Sequence, residues 1–168
     1  MGHAGYLFRG TVRENLLLAK PDGTDEEFWQ VLEQMKLADF LRSEQGLDTM
    51  LEEKGSNFSG GQCQRLVMAR ALLHDSAVYI FDEATSNIDA ESENDIMEQI
   101  YQMKGKKTVL LISHRLANVT AADKIYVLEQ GKIAEQGNHE TLITQNGSYA
   151  KLWNTQQKLE DYRKEKAS

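Results

Sequence analysis

The sequence predicts an α/β protein, mainly helical over about its first sixty residues and mixed after that. Three observations predict it. Apolar residues in the first part recur at helical spacing. Two short, continuously apolar runs, "AVYIF" (77–81) and "TVLLI" (108–112), suit strands buried on both faces of a parallel sheet. The segment between them reads as a helix, and strand–helix–strand is the unit that lets two strands lie parallel.

Taken in order, the only proline, Pro21, marks a turn in "KPDGT". Thr24 and Glu27 have capping-box spacing, and Phe28, Val31, Leu32 and Met35 follow at i, i+3, i+4 and i+7. "FLRSEQGLDTMLEEKG" reads as a second, weaker helix-and-loop segment. A helix after Ser59 places Leu66, Ala69 and Leu73 on one stripe. "AESENDIMEQIYQM" is helical, with Ile96, Ile100 and Met103 recurring along it. "KIYVL" and "KIAEQG" form a hairpin whose turn Gly131 supplies. His139, in "GNHETL", starts a helix. The end, from Gly147, is helical and increasingly charged.

Composition bounds the function. A chain of 168 residues with 40% hydrophobic and 27% charged residues reads as one soluble domain with a sizeable core. No apolar run approaches the roughly 20 residues of a membrane span, and the start lacks a signal-peptide pattern. The net charge of −7, with no basic cluster, argues against a nucleic-acid partner. The single cysteine, Cys63, cannot form an internal disulfide and fits a reducing cytosol. A zinc site fails for want of clustered partners.

Three stretches carry chemistry. Asp82 and Glu83, in "YIFDEATS", fall just past the end of an apolar strand, where open α/β sheets bind ligands. One carboxylate there can hold Mg²⁺ through water and the next can orient or deprotonate an attacking water. Taken alone, the pair reads more simply as a solvated acidic turn. His114, in "LLISHR", follows the second strand and is predicted to emerge on the same edge. It can hydrogen-bond a terminal phosphate or a water, or equally be a surface histidine. In "NFSGGQCQR", Ser59, Gly60 and Gly61 open a helix. A helix N-terminus offers unpaired N–H groups and a positive dipole end, and glycines let an anion approach. A plain serine cap with loop glycines is the simpler alternative.

Together these stretches resemble the ATP-binding cassette (ABC) family of ATPases. "FSGGQ" (Phe58, Ser59, Gly60, Gly61, Gln62) resembles the family's signature. "AVYIFDE" is similar to the Walker B strand with its catalytic glutamate, "SNID" (86–89) to the D-loop, and "SHR" to the switch-histidine loop. "LFRGTVRENLLLA" and "GSYAKLW" resemble the exporter branch. Phe58 stands where the family usually has leucine, Cys63 where it has a basic or polar residue, and Asn87 where it has a small one. The family's loop glutamine falls on His3. No G-x-x-x-x-G-K-[ST] P-loop occurs anywhere in the chain.

The resemblance implies a helical signature subdomain (1–62) followed by the C-terminal half of a RecA-like P-loop NTPase core (63–168). It implies ATP and Mg²⁺ as ligands, with Asp82 toward the metal, Glu83 as general base and His114 toward the γ-phosphate. Phe58 to Gln62 and Asp89 would serve a second nucleotide-binding domain, paired head-to-tail. A transmembrane domain fused upstream would place the assembly at the cytoplasmic face of a membrane. The missing P-loop implies that the chain alone is inactive. Two rivals are a soluble ABC ATPase acting on ribosomes or DNA, and a non-catalytic fragment with only a signature-side surface.

Overall fold

Thr11 ends a two-residue strand, β1 (Gly10–Thr11), and caps the short helix α1 (Val12–Leu17) through a capping box with Glu14. The computed structural model describes residues 6–85 and 88–167. Thr24 and Glu27 behave as their spacing predicts. The Thr24 hydroxyl accepts from the Glu27 N–H at 3.3 Å, and the Glu27 carboxylate accepts from the Thr24 N–H at 3.0 Å. They start α2 (Asp25–Gln34), which buries Phe28, Val31 and Leu32, with Met35 buried just beyond.

The weaker segment resolves into α3 (Ala38–Ser43), a 3-10 turn, and a strand, β2 (Met50–Leu51), pairing antiparallel with β1. Two-residue strands carry no readable periodicity, so the sequence shows neither. Next come α4 (Gly60–His74), β3 (Val78–Asp82), α5 (Ala90–Gln102) and β4 (Thr108–Ile112). β3 and β4 pair parallel, as the strand–helix–strand pattern predicts, from Val78↔Thr108 to Asp82↔Ile112. Their C-terminal ends are therefore level.

The expectation that both faces of these strands are buried does not hold. Tyr79 and Phe81 point into the core with Val109 and Leu111 packed beside them. On the other face Val78, Ile80, Leu110 and Ile112 are 55%, 66%, 50% and 45% exposed. Continuous apolar character marks surface suited to burial on both sides, and here only one side is covered.

These elements belong to a first compact unit, Met1–Ile112, with one core of buried residues from α1, α2, α4, β3 and α5. The second unit is Ser113–Ser168. It contains the predicted hairpin, β5 (Ile125–Glu129) and β6 (Lys132–Gly137), then α6 (His139–Thr144) and α7 (Ser148–Ala167). Gln130 and Gly131 both have positive φ, 49° and 74°, which makes the tight hairpin turn that matches strand twist. Ile125, Val127, Leu142 and Tyr149 form this unit's core. The division follows packing; the boundary after residue 62 follows the motifs and is a separate matter.

A parallel pair with one bare apolar face is a surface for association. The purified 168-residue chain is expected to self-associate through it, and Ile80→Glu with Leu110→Glu to weaken that association. Sedimentation velocity over a wide concentration range checks this; a monomer at every concentration would refute it.

Candidate functional site

The N-terminus of α4 is built by Ser59. Its hydroxyl accepts from the Gln62 N–H at 3.1 Å, and the Gln62 side-chain oxygen accepts from the Ser59 N–H at 2.8 Å. This capping box satisfies two backbone donors reciprocally. Phe58, buried just before the cap, packs edge-on against Phe40 with ring centres 5.3 Å apart. Gly60 is exposed, whereas Gly61 is buried.

Gly61 has a packing reason to be glycine. A Cβ there would lie 2.1 Å from Ser92 Oγ, 2.7 Å from Ser92 Cβ and 3.0 Å from Asp89 Oδ2. Rotating the serine cannot relieve the Cβ contact, so the first turns of α4 and α5 approach as closely as they do because position 61 has no side chain. Cys63 sits over a similar hollow: Gly55, at φ 70°, would place a Cβ 2.7 Å from its sulfur. Burial pushes the Cys63 thiol up.

Asp89 caps α5. Its carboxylate accepts from the Ser92 N–H at 2.8 Å. That bond, then the Ser92 hydroxyl and the charge of Arg65, hold the Asp89 carboxyl below its usual value. The signature residues and Asp89 thus form one cluster around two adjacent helix starts. Ser86 and Asn87 of the D-loop stretch lie outside the described residues, as does His3.

Asp82 and Glu83 form a second locus. Asp82 is the exposed last residue of β3, opposite Ile112. Glu83 follows with φ 50°, a left-handed conformation uncommon for a non-glycine residue, and its N–H donates to the Ile112 carbonyl at 3.0 Å. That bond extends the β3–β4 pairing by one residue and fixes where the Glu83 side chain leaves the sheet. His114 lies two residues beyond Ile112, in the second unit, where it is exposed and its carbonyl accepts from Gln156 Nε2 at 2.6 Å.

Several buried polar residues are not among those the sequence singles out. Glu93 accepts from the Thr85 hydroxyl at 3.1 Å, Gln99 from Gln34 at 2.7 Å, and Asp95 pairs with Lys36 and Arg65. Ser92, Glu93, Asp95 and Gln99 lie in register with the apolar stripe of Ile96, Ile100 and Met103. Polar residues on an apolar helical stripe are the signal that marks them.

The sequence profile of the ABC transporter family matches residues 3–86, half of the chain. The chain belongs to that family of ATP-binding proteins. It is 53% identical over 163 residues to an uncharacterized ABC transporter ATP-binding protein of Haemophilus influenzae, covering 97% of this chain and 29% of that protein. It is 44% identical over 147 residues to ATP-dependent lipid A-core flippase 1 of Colwellia psychrerythraea, covering 87% of this chain and 24% of that protein. A solved bacterial Atm1-family ABC exporter with ATP bound superposes with a TM-score of 0.84 at 34% identity, over 91% of this chain and 27% of the exporter chain. The chain therefore spans less than a third of the length of these relatives, and its fold is part of the RecA-like ABC fold with its flanking helices.

Gly61→Ala is expected to destabilise the first unit by about 1–3 kcal/mol, despite alanine's better helix propensity, because the added Cβ overpacks. In Gly61→Ala/Ser92→Gly the loss should be smaller than the sum of the single losses, read by urea unfolding of all four proteins. Asp89 sets a pH dependence. Its folded-state value is depressed, so its contribution to stability is complete above the unfolded value of about 4 and is lost as pH falls through the lower folded value. Asp89→Asn should abolish that part of the acid dependence of the thermal midpoint.

Proposed function

We propose that this chain is part of the ATP-binding and ATP-hydrolysing subunit of an ABC exporter, coupling hydrolysis to transport across a membrane. The observation that carries the reading is the backbone of Glu83. At φ 50°, its N–H bonded to the Ile112 carbonyl, Glu83 leaves the sheet just past the level ends of two parallel strands, the edge at which open α/β sheets bind ligands. Relatives named as a flippase and as multidrug export ATP-binding/permease proteins support the exporter branch.

In this reading Glu83 orients or deprotonates the water that attacks the γ-phosphate, and His114 hydrogen-bonds that phosphate. Ser59, Gly60, Gly61 and Gln62 present the start of α4 to the nucleotide of a second, head-to-tail domain. Phe58 anchors that turn to α3, and Asp89 lies at the domain interface. Residues 1–62 supply the signature side and 63–168 the catalytic side. Catalysis is mostly positioning and charge stabilisation.

Asp82 fits the magnesium that such chemistry uses. Among the described residues no three histidine, cysteine or acidic side chains converge on one point. A single exposed carboxylate suits an ion held largely by phosphates and water. When bound, Mg²⁺ offsets negative charge on the phosphate oxygens.

The P-loop comes in this reading from another part of the full-length protein, together with a fused membrane domain, so that the assembly works at the cytoplasmic face. The 168 residues alone are inactive. The decisive variant is Glu83→Gln in the full-length protein. It should retain ATP binding and lose turnover by about 10²–10⁴-fold. A steady-state rate close to wild type would sink the reading.

A further inference from the structure

We infer that Asp95, with Arg65 and Lys36, is a positioning group that fixes the first turn of α4 against α5 and so sets the geometry of the signature residues. The inference rests on the proposed reading of that turn as the signature side of an ATP site.

Asp95 lies six residues, about 1.7 helical turns, beyond the Asp89 cap, and its side chain is only 8% exposed. Its two carboxylate oxygens are divided between two cations. Lys36 Nζ donates to Oδ1 at 2.6 Å and Arg65 Nη1 to Oδ2 at 3.3 Å. Arg65, itself only 16% exposed, also reaches backward along its own helix, where Nε lies 3.4 Å from the carbonyl oxygen of Gly61. Its Nη1 is 3.4 Å from the carbonyl of Lys36. One guanidinium therefore touches the first turn of α4, the end of α2 and the middle of α5.

Lys36 occupies a backbone position that favours glycine. Its φ is 52°, and the bonds Lys36 N–H to Glu33 O at 2.9 Å and Leu37 N–H to Leu32 O at 2.8 Å close α2 in the manner usually given to a glycine. A lysine there gives up backbone ease and places an ammonium on Asp95. The arrangement makes the α4 turn hard to displace. A shift of α4 relative to α5 would leave a buried carboxylate without its partner, which is costly in a low-dielectric surround. Gly61 and Ser92 fix how near the two helices come, and Asp95 with Arg65 fixes how they are registered along one another.

Amide hydrogen exchange on the 168-residue chain tests this without nucleotide. In Asp95→Asn, the Gln62 and Cys63 amides, which bond to the Ser59 hydroxyl and carbonyl, should exchange at least about tenfold faster, with Leu32 in α2 and Val127 in the second unit unchanged. Lys36→Met, which removes only the more exposed cation, should give a smaller rise at the same two amides. It should add nothing to the rise in Asp95→Asn/Lys36→Met. Equal acceleration at Leu32, or none at Gln62 and Cys63, overturns the inference. In the full-length protein Asp95→Asn should lower maximal ATP turnover about tenfold with little change in KM. Glu83→Gln in the same protein separates the two ideas. If that variant also keeps its turnover, the functional reading fails. If it loses turnover while Asp95→Asn keeps a wild-type rate, the positioning inference fails.

Discussion

The contact between Gly61 and Ser92 governs the first unit. Two helices that meet through a glycine bring their backbones closer than any larger residue allows, and here they meet at their first turns. The unpaired N–H groups and positive dipole ends of α4 and α5 are thereby drawn to one place. Each start needs its own cap, and each has one: Ser59 with Gln62 for α4, Asp89 for α5. The acidic cap has an added reason to lie there, since its charge opposes both dipole ends and faces Arg65. Much of the polar content of α5 follows from the same closeness. Ser92 is small because Gly61 is against it, while Glu93, Asp95 and Gln99 reach outward to hold Thr85, Arg65 with Lys36, and Gln34.

The parallel pair imposes a different constraint. β3 and β4 end level, so whatever leaves them leaves from one edge. The strained Glu83 backbone is the local consequence. Its N–H stays in the ladder with Ile112 while the chain turns away, and the positive φ is how a non-glycine residue accomplishes both. The cost, of order 1 kcal/mol for such a conformation, is sustained because the strand bonds before it leave the residue no freer alternative.

Local chemistry made much of this legible in the sequence. The Thr24–Glu27 box, the helical stripe of α2, the hairpin turn at Gly131 and the helix start at His139 all rest on short-range spacing, and short-range spacing survives folding; the parallel pairing of the two apolar runs rests on the order strand, helix, strand. What long-range packing decides was not legible. β1 and β2 exist only because residues forty positions apart meet. The bare face of β3 and β4 could not be seen because apolar character reports suitability for burial, not the presence of a cover. At the candidate site, the sequence marked Gly61 for anion approach, yet its nearest constraint is Ser92. Asp95 shows in the sequence only as a polar residue on the apolar stripe of α5; what it pairs with is set by Arg65 and Lys36, thirty and fifty-nine positions away, which fold against it.

Two readings of Ser59 that compete in the sequence are compatible in the structure. As a cap, the hydroxyl oxygen accepts from Gln62, which occupies one lone pair. A hydroxyl also carries a donor hydrogen, and capping from the acceptor side leaves that donor available. The same cap holds the chain so that the earliest N–H groups of α4, which have no partner within the helix, lie around it. A serine that only ended a loop and a serine that donates to an anion would therefore sit in the same place, with the same bonds to Gln62. What distinguishes them is the immobility of the turn. An anion gains from preorganised donors only if those donors do not have to be ordered when it binds. In the proposed reading, the Asp95 pair, the Phe58 anchor and the Gly61 contact are what would keep this one turn ordered before an anion arrives.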